Sequence, residues 1–271
     1  MSVPGQPFLA SYPADLSEWE VDDRLSARGF VHGWRSHVGA GNGEAFFDAL
    51  VHGHLRRDAV VLDVGCGHGS YACELAAHCR RVIGLDGDPK VVDLARELAG
   101  ERGVRNVEFR QVRLAAGPDE TGIPGRSVDV FACRRGPVLA KWLGLALRVA
   151  RPGAVAVGVH PTGGAGAVPS WNSDLPEPLR IDQVCGYDEV RGWLTDGLDQ
   201  APPGVRLDGC WWLDVPETFD DPEQLHAKLA GSGDAVPYAD VKEVLTRLFA
   251  AHGGSLVLRH CRLVWQIAFP G

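Results

Sequence analysis

Three glycines at alternate positions, Gly65, Gly67 and Gly69, follow the acidic Asp63 at the end of a short apolar run. A second acid, Asp86, ends another apolar run seventeen residues after Gly69. Glycine, with no β-carbon, lets a backbone turn sharply and approach a ligand closely. An acid at the tip of the second strand of a strand–helix–strand unit is placed to accept hydrogen bonds from two ribose hydroxyls. The two features together describe a nucleoside-binding pocket. Three further groups could carry chemistry beside it: His160 after a later apolar run, the adjacent Arg134 and Arg135, and the N-terminal set His32, Trp34, Arg35 and His37.

These residues need elements to position them. The apolar run from Ala59 to Leu62 suits a strand buried on both faces of a parallel sheet. A helix expected over His68 to His78 would present its free N-terminal amides over the glycines. Arg81 to Leu85 reads as the next strand, and Lys90 to Gly103 as a helix with Val91, Leu94, Ala95 and Leu98 on one face. Val104 to Leu114 reads as a third strand and Ser127 to Cys133 as a fourth. Val138 to Ala150 reads as a helix, Arg151-Pro152-Gly153 as a turn, and Ala154 to Val159 as a fifth strand that delivers His160 to the crevice where open α/β sheets bind ligands. A helix over Tyr187 to Leu198, a strand over Val205 to Val215, helices over Pro222 to Leu229 and Ala239 to Ala251, and a long apolar strand over Ser255 to Phe269 complete the chain.

Glycine spacing decides which nucleoside. The dinucleotide fingerprint G-x-G-x-x-G would place its third glycine at position 70, where this chain has Ser70. The pattern D-x-G-x-G-x-G over 63–69 instead resembles motif I of the class I S-adenosylmethionine-dependent methyltransferases, and VIGLDGDP over 82–89 resembles their ribose-binding motif. The resemblance covers about Ala59 to His160 well and the C-terminal strands more loosely. It implies an α/β, Rossmann-like, seven-stranded methyltransferase sheet with the last strand antiparallel and helices on both faces. On that plan residues 1–58 are an N-terminal helical arm, with a helix expected over Leu16 to Arg28, another over Glu44 to Leu55 and a lid at 29–43. Residues 59–271 are the methyltransferase domain, with a helical cap inserted at about 217–253.

The resemblance also implies roles for residues. The loop Asp63, Gly65, Cys66, Gly67 and Gly69 would hold the methionine end of S-adenosylmethionine, and Asp86 with Gly87 the ribose. Relatives commonly follow the third strand with an acid that accepts a bond from the adenine amino group. Here Arg113 and Leu114 stand at that place, and since an arginine cannot accept a hydrogen bond, adenine recognition differs or passes to a backbone carbonyl. Arg134 and Arg135 replace the N-P-P-Y tetrapeptide of amine methyltransferases, which argues against that mechanism. Adjacent arginines at a cleft mouth call for an anion, either the cofactor's carboxylate at Arg134 or a substrate group at Arg135. Trp34, Arg35 and Trp171 are the remaining substrate-binding candidates, with Trp34 placed to stack on a planar acceptor. His160, His32 and His37 are the candidate bases.

Composition narrows the field. The chain of 271 residues is long enough for one large α/β domain with appendages. Hydrophobic content of 45%, no apolar run approaching membrane length, and no leader-like N-terminus favour a cytoplasmic protein. Seven scattered cysteines without a C-x-x-C pair argue against a disulfide framework or a structural zinc site, so no metal is expected. A formal charge of −8 disfavours a long nucleic-acid substrate. The expectation is therefore methyl transfer to a small, anionic or aromatic molecule by a monomer or homodimer. The alternatives are a ribosomal RNA base methyltransferase, whose large-subunit guanine-specific members the C-terminal tail resembles without their zinc-binding cysteines, or a non-catalytic cofactor binder.

Overall fold

β2 (Val60–Val64) is buried at every position and is an interior strand of the sheet. Its pairing with β3 (Arg81–Asp86) on one side and β5 (Val128–Arg134) on the other is parallel, with Asp63 level with Gly84 and Ala132. The structure, a computed structural model, describes residues 37–38, 43–114, 121–162, 168–181, 187–230 and 236–271. The remaining strands are β1 (His37–Val38), β4 (Val107–Gln111), β6 (Ala150–Thr162), β7 (Arg206–Phe219) and β8 (Leu256–Ala268). Together they form one sheet in the order β1-β7-β8-β6-β5-β2-β3-β4. β8 runs antiparallel to both neighbours, β6 and β7. The expected seven strands are β2 to β8, and the two residues of β1 add a short eighth pairing at Glu217 and Thr218.

Helices cover both faces. α1 (Glu44–His54), α2 (Ser70–Leu75) and α3 (Pro89–Glu101) build one apolar cluster with Phe47, Leu75, Ala95 and Val130. α4 (Leu143–Val149) and α5 (Tyr187–Asp199) cover the other face, where Phe131, Trp142 and Trp265 stack. α3 starts where its sequence dictates: the Asp88 carboxylate accepts the Lys90 N–H at 2.9 Å, and Pro89, which has no N–H to satisfy, occupies the first turn.

Three local expectations change. The helix after the glycines is only Ser70–Leu75. The expected helix over Val138 to Ala150 is broken into a 3₁₀ turn, Leu139–Lys141, and α4. Arg151-Pro152-Gly153 is no helix-to-strand turn: β6 begins at Ala150, opposite Val128, and the register to β5 then shifts so that Val130 faces Val155. Gly153, at φ 75°, takes the left-handed conformation this irregularity requires.

Asp129 locks the amino ends of the central strands. It is 9% exposed, and its Oδ2 accepts the Val60 N–H at 2.8 Å and Arg151 Nη1 at 3.0 Å. Arg56 Nη2 reaches Oδ1 at 3.4 Å. Asp129→Ala would leave a buried backbone N–H and Arg151 without their acceptor, and Arg56 with Asp58 alone. It is expected to lower unfolding free energy by about 2–4 kcal/mol, checked by urea denaturation.

Beyond the tip of β6, where Thr162 faces Cys261, β7 and β8 continue paired as far as Phe219 opposite Leu256, with β1 added on the outer edge of β7 at Glu217 and Thr218. α6 (Pro222–Ala230) and α7 (Tyr238–Ala251) connect them. These helices and the 3₁₀ turns Ser170–Asp174 and Glu177–Leu179 enclose a third apolar cluster that includes Trp171, Leu179, Phe219, Leu225 and Leu245.

Candidate active site

The carboxyl ends of β2, β3 and β5 converge on the glycine loop. Gly65, Gly67 and Gly69 all have positive φ, 75°, 53° and 80°, a region that side chains rarely adopt. The loop is fixed from below, since the Gly65 and Cys66 N–H groups both donate to the Leu85 carbonyl at 2.8 and 2.9 Å. The three glycines serve different ends. A β-carbon at Gly65 would lie 2.8 Å from Pro137 Cδ, and one at Gly69 2.6 Å from the Phe109 ring, so both are required by packing. A β-carbon at Gly67 would meet nothing within 4 Å. Gly67 therefore faces the open space that a ligand would fill.

Asp86 organises that space. Its Oδ2 accepts the Gly67 N–H and its Oδ1 the Asp88 N–H, each at 3.0 Å. One carboxylate thus ties the glycine loop to the end of β3, and each oxygen keeps a further acceptor site for a ligand hydroxyl. Gly87 is nearly open: a β-carbon there would touch only the Val112 carbonyl, at 3.8 Å.

Asp63, at the start of the loop, is 1% exposed. Its Oδ2 is buried and has no hydrogen-bond partner among the described residues. Burial pushes its pKa up to about 7, with the Arg134 guanidinium pulling it down and the Asp86 charge adding to the rise. Arg134 lies over the Tyr71 ring, its guanidinium carbon 4.9 Å from the ring centroid. An orphaned buried carboxylate oxygen beside a cation is a receptor for an ammonium group that carries its own carboxylate. The residues present fit S-adenosylmethionine: Asp63 and Arg134 its amino-acid end, Gly67 its close approach, Asp86 its ribose.

Because the folded Asp63 carboxyl titrates near 7 and the unfolded one near 3.8, the folded state holds the extra proton between those values, and stability falls as pH rises through that window. Asp63→Asn removes this cost. It is expected to raise unfolding free energy by about 1–3 kcal/mol at pH 8, a gain that fades as pH drops toward 4. Thermal melts of both proteins across pH check this, and the same variant is expected to lose cofactor affinity.

The structure places the other expected residues less uniformly. Cys66 is buried and its thiol is pushed far up by burial, so it packs as a small apolar group under the loop. Arg113 is exposed and Leu114 half-buried beyond β4. Arg135 sits at φ 58°, and its N–H donates to the Val159 carbonyl at 2.8 Å. His160 lies at the tip of β6 as expected, yet it is 7% exposed and stacked 6.0 Å from the Trp265 ring. Burial drives its pKa down to about 4, against the opposing pull of a hydrogen bond to the Gly136 backbone. Its ring is neutral at pH 7 and a weak base, so its surroundings do not support the catalytic role. Trp171 is 5% exposed inside the third cluster, which also holds Leu175, Leu179 and Phe219. It supports that cluster rather than stacking on a ligand. His37 is described only as part of β1, while His32, Trp34, Arg35, the expected helix over 16–28 and most of the 29–43 lid lie outside the described residues.

Two site residues were not singled out from the sequence. Gly136 passes so close to β2 that a β-carbon would lie 2.3 Å from the Val64 carbonyl oxygen. The following Pro137 carbonyl accepts both Trp142 Nε1 at 3.1 Å and Cys133 Sγ at 3.4 Å, which pins this loop against the glycine loop. The Gly136-Pro137 dipeptide was the available signal. Tyr71, in the first turn of α2, carries Arg134 on its ring and had no signal beyond its place after the glycines.

Residues 61–153 match the family described as a methyltransferase domain. An uncharacterized methyltransferase, YcgJ, of Bacillus subtilis is 34% identical over 79 residues, 29% of this chain and 30% of that protein. The 23S rRNA (uracil(1939)-C(5))-methyltransferase of Legionella pneumophila is 37% identical over 60 residues, 22% of this chain and 14% of its own. The 2-heptyl-1-hydroxyquinolin-4(1H)-one methyltransferase of Mycobacteroides abscessus is 39% identical over 66 residues, 24% of this chain and 28% of its own. The chain thus spans less than a third of the length of these relatives. Among solved structures, a functionally unknown protein from Deinococcus radiodurans superposes with a TM-score of 0.59 at 20% identity over 90% of this chain and 97% of that one. The B. subtilis YcgJ protein gives 0.53 at 17% identity over 83% and 98%. At these identities the likeness is one of fold.

Proposed function

From the match of residues 61–153 to a methyltransferase domain and from the strand order of the sheet, we propose that this chain is a class I methyltransferase that transfers the methyl group of S-adenosylmethionine to a small-molecule acceptor. The observation that carries the cofactor assignment is the buried Asp63 carboxylate, with an unpartnered oxygen and Arg134 beside it, at the start of a loop whose Gly67 is held by Asp86. When bound, the cofactor would supply a methyl group on a positively charged sulfur, open to in-line attack at the methyl carbon with the neutral thioether as the leaving group.

The protein's share is positioning. Asp63 receives the ammonium and Arg134 the carboxylate, which fixes the amino-acid end. Asp86 receives the ribose hydroxyls, and its existing bonds to Gly67 and Asp88 mean that it is already oriented. Because Asp63 must ionise to receive a cation, affinity for S-adenosylhomocysteine is expected to rise about tenfold from pH 5.5 to 6.5 and to level above 7.5. Titration calorimetry across pH checks this.

His160 is a positioning residue in this account: its ring bonds to the Gly136 backbone and props the loop that faces the glycines. An acceptor that is already anionic at neutral pH would need no strong base. Arg135 is the residue assigned to its charge. The net charge of −8 and the α6–α7 connection at the carboxyl end of the sheet support a small acceptor enclosed by a cap. The activity in the name of the quinolone methyltransferase relative fits that reading, and the ribosomal RNA relative marks the second one.

The test is transfer of labelled methyl into extract divided into metabolite and RNA fractions. Label in the metabolites is the expected result. Label confined to RNA would replace the leading reading with the second.

A further inference from the structure

We propose that a hollow at the amino ends of β3 and β4, remote from the cofactor site, binds a small phosphate-bearing anion of the size of pyrophosphate or a nucleoside diphosphate. Arg80, Arg81, Arg105, Asn106, Val107 and Glu108 line it, and its volume is about 450 Å³. That volume lies within the range that small ligands occupy. Asp86 lies five residues further along β3 than Arg81, so about 17 Å of sheet separates the hollow from the proposed ribose contact.

The hollow reverses the charge of the chain around it. A protein with a formal charge of −8 places three guanidinium groups and one carboxylate here. The carboxylate is already committed: Glu108 pairs with Arg81 and also accepts Arg110 Nε at 2.6 Å, and these bonds hold its pKa below the usual carboxylate range. Arg80 and Arg105 are exposed and make no side-chain hydrogen bond or ion pair with any described residue.

Neither Arg80 nor Arg105 bonds the carbonyls of a helix C-terminus among the described residues. α2 and α3 do end on this side, but the carbonyls after α2 are taken by other groups: Ala77 by Arg57 Nη1 at 3.3 Å, Ala76 and Cys79 by Asn106 Nδ2 at 2.8 and 3.2 Å.

The platform is also rigid. The Arg80 N–H donates to the Ala59 carbonyl at 2.9 Å, and the Asn106 carbonyl accepts the Val82 N–H at 2.9 Å. Two forked donors are therefore carried on the entries of adjacent strands, about 4.8 Å apart, a geometry suited to the several oxygens of a phosphate group. The three large apolar residues that are exposed among the described ones, Val168, Leu207 and Val257, lie on other elements, so nothing here would insert into a lipid surface. A hollow lined by only six residues, three of them arginines, matches a compact anion rather than a long phosphodiester chain.

The experiment is titration of the full chain with pyrophosphate at about 150 mM sodium chloride, where exposed charges are well screened. The variants are Arg80→Gln with Arg105→Gln, and as control Arg206→Gln, whose side chain pairs with Asp208 on β7. Wild type and control are expected to bind one pyrophosphate per chain saturably, and the double variant at least tenfold more weakly. Melting temperature and S-adenosylhomocysteine affinity are expected to stay unchanged in all three, which keeps this result separate from that of the cofactor site. Absence of saturable binding by wild type, or equal binding by the double variant, would overturn the proposal. A labelled RNA oligonucleotide held through Arg80 and Arg105 without pyrophosphate binding would overturn it too, assigning the hollow to nucleic acid.

Discussion

Replacement of Asp86 by alanine is expected to weaken S-adenosylhomocysteine binding by at least about 100-fold. Two effects add. The carboxylate would lose both ligand hydroxyls, each bond to a charged group contributing about 1.5–3 kcal/mol. The variant also frees the Gly67 and Asp88 N–H groups, both now held at 3.0 Å, so the loop loses its orientation before any ligand arrives. Asp86→Asn retains one acceptor oxygen and is expected to fall between the two, since it can hold Gly67 or Asp88 but not both. Calorimetric titration of the three proteins decides it, and unchanged affinity in Asp86→Ala would refute the nucleoside assignment.

The second large effect separates ligand space from packing space among the glycines. Gly67→Ala adds a methyl group where nothing lies within 4 Å, at φ 53°. Its stability cost is the left-handed backbone penalty alone, about 1 kcal/mol. Its cost to cofactor affinity is expected to be tenfold or more, because the methyl group occupies the ligand's approach. Gly136→Ala does the reverse kind of damage. Its β-carbon would lie 2.3 Å from the Val64 carbonyl oxygen, backbone against backbone on an interior strand of the sheet. Neither partner is a flexible side chain, so the loss is expected to exceed about 3 kcal/mol. Urea denaturation with binding assays on both variants checks the pair. A Gly67→Ala protein as unstable as Gly136→Ala, or one with undiminished affinity, would contradict this division of roles.

Much of the fold was legible because its signals are local. The all-apolar β2, the glycines after it and Asp86 seventeen residues on lie within one strand–helix–strand unit, where spacing alone fixes relative position. Asp88 and Pro89 likewise announce the start of α3 by their own chemistry. The antiparallel β8 was anticipated, but only through the resemblance to a known sheet; its apolar sequence would have suited a parallel strand as well.

What was not legible depends on distant partners. His160 was placed at the right strand tip, but its burial comes from Trp265 on β8, more than a hundred residues later, and no local pattern carries that contact. Trp171, flanked by prolines, read as a pocket residue in a loop. It is buried because helices beyond residue 220 close a separate apolar cluster around it. The orphaned oxygen of Asp63 is a fact of burial from every side, whereas its sequence shows only an acid before glycines. Gly136 was passed over because its constraint, the Val64 carbonyl, comes from a strand seventy residues earlier.

The central claim is that Asp63, Gly67 and Asp86 form a binding site for S-adenosylmethionine. The measurement that tests it most directly is titration calorimetry of the unmodified chain with S-adenosylhomocysteine at pH 7.5, repeated with Asp63→Asn. One-to-one saturable binding at or below about a millimolar, lost in the variant although its fold is the more stable at that pH, is the predicted result. No binding to the unmodified chain, or equal binding to both, would contradict it.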